Sequence, residues 1–500
     1  MEDKYKALNA KFPGGLAESN WVDTDYPDGN VHWMRFAGAQ CPICGHTDWC
    51  CVNVTGTKVV CMRKDDGKAP EIGDGGHLYV LKGTKAVDFD SSKVKTTETV
   101  PYASDKIRDL LYRMVLVANP LAAHHRTNLK KRGLTDEEIN LHRSRGFGSI
   151  YDDRNLAKKY GVKPFAPIKL VKGTDGKGKI ISQWRKLFAK LNLPDNVWQG
   201  VPGFYLKQMR VDKPLALQSG DGKFTIEPGS YDYPMFTANT DGMLIPYYDE
   251  ENQIVGFQTR VDHRSVYAEI TKKPQGANIH VYFDKDTNHY RVVLYDKFNK
   301  DGKTLAESDI HGDNPVHINY GINNSQEIVF KPKFGGKYFW VSSSKEYLGA
   351  SGKTPIQVSY NPKIASLAPH DKALEDYIKQ PKAVWLTEGG LKALVATAKL
   401  SSCFSEEQLD DYGRDFLAVA GVGSYRKFIP MLEKLNAKRI TVAFDMDFIK
   451  NDQVADHYRH LINLLHEKGY QIRMALWDPK KAKGIDDALV NGSEIRFKEI

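Results

Sequence analysis

The spacing of hydrophobic positions changes several times along this chain, and each change predicts a different kind of element. From Asp105, the run IRDLLYRMVLV repeats apolar residues at three- and four-residue intervals, the pattern of an amphipathic helix. Gly133 followed by Thr135-Asp-Glu-Glu138 announces a second helix, in which Thr135 and Glu138 satisfy each other's amides as a capping box. Between Asp241 and Pro362 the pattern is mostly that of strands: LIPYYD and IVGFQTRVD flank an acidic turn, and NHYRVVLYD and KYFWVSS follow. From Pro381 onward AVWLTE, FLAVAG, RITVAFD and IRMALWD are separated by the helical stretch GLKALVATAKL and by a helix across 452–467. Strands with no internal polar alternation are buried on both faces, which predicts a parallel sheet covered by helices.

These segments predict a multidomain α/β chain, since 500 residues exceed one compact core. Residues 1–81, short strands and turns around a cysteine cluster, are expected to form a zinc-ribbon domain. Residues 82–104 are polar, lack periodicity and read as a linker. Residues 105–235 form a helical and lysine-rich region, 236–380 a β-rich mixed α+β subdomain, and 381–500 the α/β domain with the parallel sheet.

Composition narrows the class only slightly. Hydrophobic content of 41% and aromatic content of 11% exclude wholesale disorder. The 71 Lys+Arg against 62 Asp+Glu leave a formal +9, consistent with nucleic-acid binding but matched by many soluble enzymes. The N-terminus lacks the apolar stretch of a signal peptide, and no run approaches the roughly 18 apolar residues needed to span a bilayer. Five of the six cysteines lie between Cys41 and Cys61, a clustering that points to a metal site rather than to disulfides. A cytoplasmic protein without a membrane partner is expected.

The cluster reads CPICGHTDWCCVNVTGTKVVC. Cys41-Pro-Ile-Cys44-Gly is a zinc knuckle that lets two thiolates converge on one ion, and a structural zinc needs two more ligands. Cys61, ending a strand, supplies one. The other is Cys50 or Cys51; Cys50 is preferred because a hairpin turning at Thr55-Gly56 would let it face Cys61, while His46 and His77 remain possible substitutes. Trp33, Trp49, Arg63 and Lys64 offer the stacking and phosphate contacts that a single strand needs.

The C-terminal strands carry the second constellation. Glu388 ends one strand and is followed by Gly389-Gly390; Gly421 and Gly423 follow the next; Asp445 and Asp447 end the third as D-M-D; Asp486 and Asp487 follow the fourth. Strand ends at the carboxyl edge of a parallel sheet form its ligand crevice. Carboxylates gathered there without matching cations would need metal ions, and two divalent ions can organise both oxygens of a phosphoryl transfer.

Glu-Gly followed by Asp-x-Asp resembles the Toprim signature of DnaG-type primases, type IA and II topoisomerases, RecR-like recombination factors and some nucleases. DGMLIPYYDEENQIVGFQTRVD, KYFWVSS and SGKTPIQV look like the basic subdomain that precedes Toprim in DnaG-type primases, with Arg260, Lys337 and Lys353 at its basic positions. The order of zinc module, basic subdomain and Toprim is most similar to primase-like proteins of phages, plasmids and other mobile elements. The resemblance covers residues 35–81, about 105–150, 240–262 and 336–492; residues 151–235 and 264–335 are read as insertions. It implies a primase that makes short primers on single-stranded DNA from nucleoside triphosphates, alongside a separate replicative helicase. Glu388, Asp445 and Asp447 would hold magnesium or manganese, assisted by Asp486; Arg260, Lys337 and Lys353 would bind the nucleotide or primer; and zinc would sit on Cys41, Cys44, Cys50 and Cys61. The chain departs from the family at Lys392, where an Asp is usual, and at Gly-Ile-Asp486-Asp487, where Asp-Pro-Asp is usual.

Two other functions fit the same features: a Toprim nuclease or topoisomerase-like strand cutter, and a non-catalytic single-stranded DNA-binding scaffold. Gly173–Lys179 and Gly352-Lys353-Thr354 resemble phosphate loops but lack the full pattern. The lysines from Lys158 to Lys190, with Trp184 and Phe188 among them, offer either a nucleic-acid groove or a solvated basic face.

Overall fold

The computed structural model describes residues 5–23, 31–72, 75–87, 89, 100–141, 146–219, 222–270, 276–284, 287, 289–298, 302–446 and 452–500. Its secondary structure is mixed α and β throughout.

The N-terminal strands Leu16–Asp23, Val31–Phe36, Cys51–Val52, Lys58–Cys61, Gly76–Val80 and Glu71–Ile72 lie in that order in one antiparallel sheet. Its small core holds Phe36, Val52 and Val59 together with three of the cysteines.

The helix Asp105–Ala118 forms where the apolar spacing predicts it, capped by Ser104. Asp109 accepts from the Ile254 amide at 3.0 Å and Arg108 donates to the Val255 carbonyl at 3.0 Å, fixing this helix to the central sheet. The Thr135 capping box is complete in both directions. The central sheet is antiparallel, in the order Tyr338–Trp340, Ile254–Val261, Gly242–Tyr248 and Gly148–Ile150. Three further hairpins fill much of residues 151–235. Trp184 and Phe188 lie fully buried in the core beneath them, so they offer no stacking face to a nucleic acid. Between Val261 and Tyr338 the chain builds two three-stranded sheets around their own apolar core.

The C-terminal sheet has the order Gln357–Ser359, Asp415–Val419, Lys382–Glu388, Ala437–Val442, Gln471–Leu476 and Arg496–Glu499. Its four inner strands are parallel and its two edges antiparallel. Side chains alternate across a strand, so Val384 and Leu386 enter one core while Trp385 enters the other. Both faces are therefore apolar, as the uninterrupted hydrophobic strands require. The sheet recruits Gln357–Ser359, which lies ahead of the expected boundary at 381, because an antiparallel edge strand can be reached by a short return of chain.

Trp385 is fully buried, stacks on Phe416 at 5.2 Å and donates its indole N–H to the Gly413 carbonyl at 2.9 Å. Trp385→Ala is expected to lower stability by about 3–5 kcal/mol, through lost apolar burial and a cavity at the sheet centre. A denaturant titration checks this: a shift of the midpoint without a change of slope is the expected result. No helix among the described residues is long and apolar enough to cross a membrane.

Candidate functional site

In the N-terminal module, the sulfurs of Cys41, Cys44, Cys50 and Cys61 all lie within 4.8 Å of one another. The Cys44–Cys50 and Cys50–Cys61 separations are 3.6 and 3.8 Å. Four thiolates placed tetrahedrally about 2.3 Å from a zinc ion would stand roughly 3.8 Å apart, so the donor set fits. The Met62 and Lys64 amides point at the Cys50 and Cys61 sulfurs, each at 3.3 Å, and stabilise thiolate charge. Cys51 faces the opposite side of its strand, against Trp33 and Val60. Neither histidine substitutes for a cysteine: His46 contacts the Cys44 carbonyl, and His77 turns toward Arg426 and Asp65. Trp33 is buried and unavailable for stacking, whereas Trp49 is 68% exposed with the Arg63 guanidinium 5.8 Å from its ring.

At the carboxyl edge of the parallel strands, Glu388 hands the chain to the helix Gly390–Cys403. Gly389 makes that turn at φ +82°, a backbone conformation open to glycine, and a Cβ at Gly390 would meet the Tyr247 ring at 2.6 Å. The Tyr247 hydroxyl accepts from the Gly390 amide at 3.1 Å, which locks the helix start to the central sheet. Asp445 and Asp486 are both buried beside it. The three carboxylates share a cavity of about 360 Å³ with Arg132, Lys337, Tyr338, Lys392, Lys483 and Asp487. Asp447 lies outside the described residues.

The expectation that these carboxylates lack cations does not hold. Lys392 donates to Asp445 and lies 3.7 Å from Glu388, one helical turn away; Lys483 is 3.9 Å from Asp445; Arg132 is 3.5 Å from Asp486. Burial pulls the Lys392 ammonium down, but Glu388 and Asp445 outweigh it and hold its pKa above the ordinary lysine value. Burial, followed by the Asp487 charge, pushes the Asp486 carboxyl up. Among the described residues, Glu388, Asp445 and Asp486 do not bring three oxygens within reach of one ion. A magnesium ion needs only one or two carboxylates when phosphates complete its shell. Glu388 and Asp445 offer such a pair, with the Lys392 ammonium between them.

The basic positions separate. Lys337 lines the cavity, and burial together with Arg260, Arg132, Arg264 and Lys483 lowers its pKa. Arg260 stands beside this cluster, opposite Tyr338 in the strand register, with its Nε buried and unpartnered. Lys353 does not line the cavity; its ammonium lies 4.1 Å from the centre of the Tyr102 ring. Sequence reasoning missed Arg132 and Lys483. Lys483 stands next to Gly484 in the KGIDD motif and was within reach of inspection. Arg132 is 354 residues from Asp486, and no local pattern connects them.

The family model of a domain of unknown function, DUF3854, matches residues 375–495, the segment that carries the acidic cavity wall. A search of curated proteins finds no match. Among solved structures, the chain is similar to the zinc-binding and RNA polymerase domains of Aquifex aeolicus primase, at 11% identity over 99% of this chain and 84% of that one. The TM-score is 0.33, a superposition too loose to carry any argument.

Proposed function

We propose that the chain is a DNA primase of the Toprim type, making short primers on single-stranded DNA for the replication of a phage or other mobile element. The observation that carries this reading is the cavity itself, which the carboxylates of Glu388, Asp445 and Asp486 line together with the cations Arg132, Lys337, Lys392 and Lys483. A nucleoside triphosphate needs both kinds of group: cations for its phosphates, and carboxylates where the reacting phosphoryl group is held.

In this reading Arg132, Lys337 and Lys483 clamp the triphosphate, with Arg260 adding to the field. Lys392 exchanges Asp445 for a phosphate oxygen as the nucleotide enters. Glu388 and Asp445, with Asp447 and Asp486 nearby in sequence or space, would then hold magnesium or manganese, which supplies charge neutralisation at the reacting oxygens. Lys353, stacked on Tyr102, serves the primer backbone outside the cavity. Tyr338, 37% exposed at the cavity edge, offers a ring for base stacking. The zinc module holds template through Trp49 and Arg63. A separate replicative helicase and a cytoplasmic location complete the proposal.

The test is synthesis from labelled nucleoside triphosphates on single-stranded DNA with magnesium or manganese, with products sized on a gel. Short products from the wild type, reduced severely by Lys337→Ala, are the expected result. The Lys392–Asp445 contact favours one rival, a scaffold that binds DNA and incorporates nothing. Metal-dependent shortening of the labelled DNA without triphosphates would instead identify a nuclease.

A further inference from the structure

The N-terminal module and the C-terminal α/β unit meet at a buried cluster outside the acidic cavity. Asp65 and His77 come from the module, and His457 from the helix Asp452–Glu467. All three are buried, and one ligand atom from each lies within 4.8 Å of the others. Asp65 is held in place by the Tyr425 hydroxyl, which donates to it at 2.6 Å, and by the Gly67 amide at 2.8 Å. His457 Nδ1 is buried with no hydrogen-bond partner. His460, one helical turn beyond His457, places its Nδ1 3.3 Å from Asp65.

We propose that Asp65, His77 and His457 form a second transition-metal site, of the zinc class, and that the ion pins the zinc module to the C-terminal unit. One carboxylate and neutral imidazoles are the ligand set that suits zinc.

Arg426 is the competing cation, 3.1 Å from His77 Nδ1 and 3.6 Å from Asp65. A guanidinium answers the carboxylate and His77 Nδ1 but leaves the buried His457 Nδ1 without a partner. A metal ion takes lone pairs from imidazoles, and the Arg426 side chain, 27% exposed, is able to turn outward. The contrast with His124, His125 and Asp262 is informative. That cluster also groups metal-binding residue types. There, however, His125 is satisfied on both nitrogens, by Ser149 at 2.7 Å and Asp262 at 2.6 Å.

The test is metal stoichiometry of the full chain, saturated with zinc and freed of loose metal by gel filtration. Two equivalents are expected in the wild type and one in His457→Gln, with the remaining equivalent on the cysteines reporting that the module is still folded. Cobalt substitution separates the sites: thiolate charge-transfer bands should saturate at one equivalent, and a second should add only weak d–d absorption. One equivalent in the saturated wild type overturns the proposal, whatever the variants do. So does a His457→Gln protein that keeps two.

Discussion

Asp445→Ala is expected to lower nucleotide incorporation by at least about a hundredfold, the scale for losing a metal-holding or positioning carboxylate at such a site. Asp445 ends a buried strand, and its carboxylate meets Lys392 on one side and Lys483 on the other. Removing it leaves the Lys392 ammonium, only 18% exposed, paired with Glu388 alone at 3.7 Å, and takes one carboxylate from the cavity. The sheet should survive, because Asp445 contributes no apolar packing to either core. Circular dichroism and the denaturation midpoint separate a chemical loss from an unfolded one. Synthesis by Asp445→Ala at the wild-type rate, with its fold intact, would remove the catalytic assignment. Asp447→Ala is expected to behave in the same way.

Cys50→Ser is expected to lose the thiolate-bound zinc and to unfold the N-terminal module, whereas Cys51→Ser keeps both metal and fold. The module's core is small, and Cys41, Cys50 and Cys61 are part of it, so a zinc ion held there would supply much of its folding free energy. Structural zinc contributes on the order of 10–16 kcal/mol in isolated finger peptides. The functional consequence should divide the reaction. Initiation on single-stranded template should fail in Cys50→Ser, while extension of a pre-annealed primer should partly persist because the acidic cavity belongs to another unit. Elemental analysis and a thiolate–cobalt band report the metal, and the two template types report the function. Retention of the thiolate-bound metal by Cys50→Ser would move the fourth ligand elsewhere.

Local chemistry accounts for most of what could be read in advance. The capping box at Thr135 and Glu138 closes as its spacing requires. The hydrophobic strands from Lys382 to Leu476 become parallel and doubly covered because each offers two apolar faces. Cys50 faces Cys61 because a hairpin after Val52 aligns them, which the turn residues at Thr55-Gly56 already signal. These outcomes depend on residues close together in the chain, where propensity, turn chemistry and side-chain alternation act directly.

What sequence alone determined is the clustering of Cys41, Cys44, Cys50 and Cys61, the α/β pattern of the C-terminal segment and the carboxylates at its strand ends. Tertiary structure decided which charges oppose them. Arg132 reaches Asp486 from a distant helix, and Lys392, visible as a departure from the expected acidic residue, is drawn onto Asp445. It also decided that Trp184 and Phe188 serve a core, that Lys353 lies on Tyr102 and that His77 meets His457 across an interface. Each of these contacts joins residues far apart in the chain, and their partnership is set by how separate elements pack. A charge or an imidazole acquires its role from the neighbours that burial imposes on it, and those neighbours are not written in the local pattern.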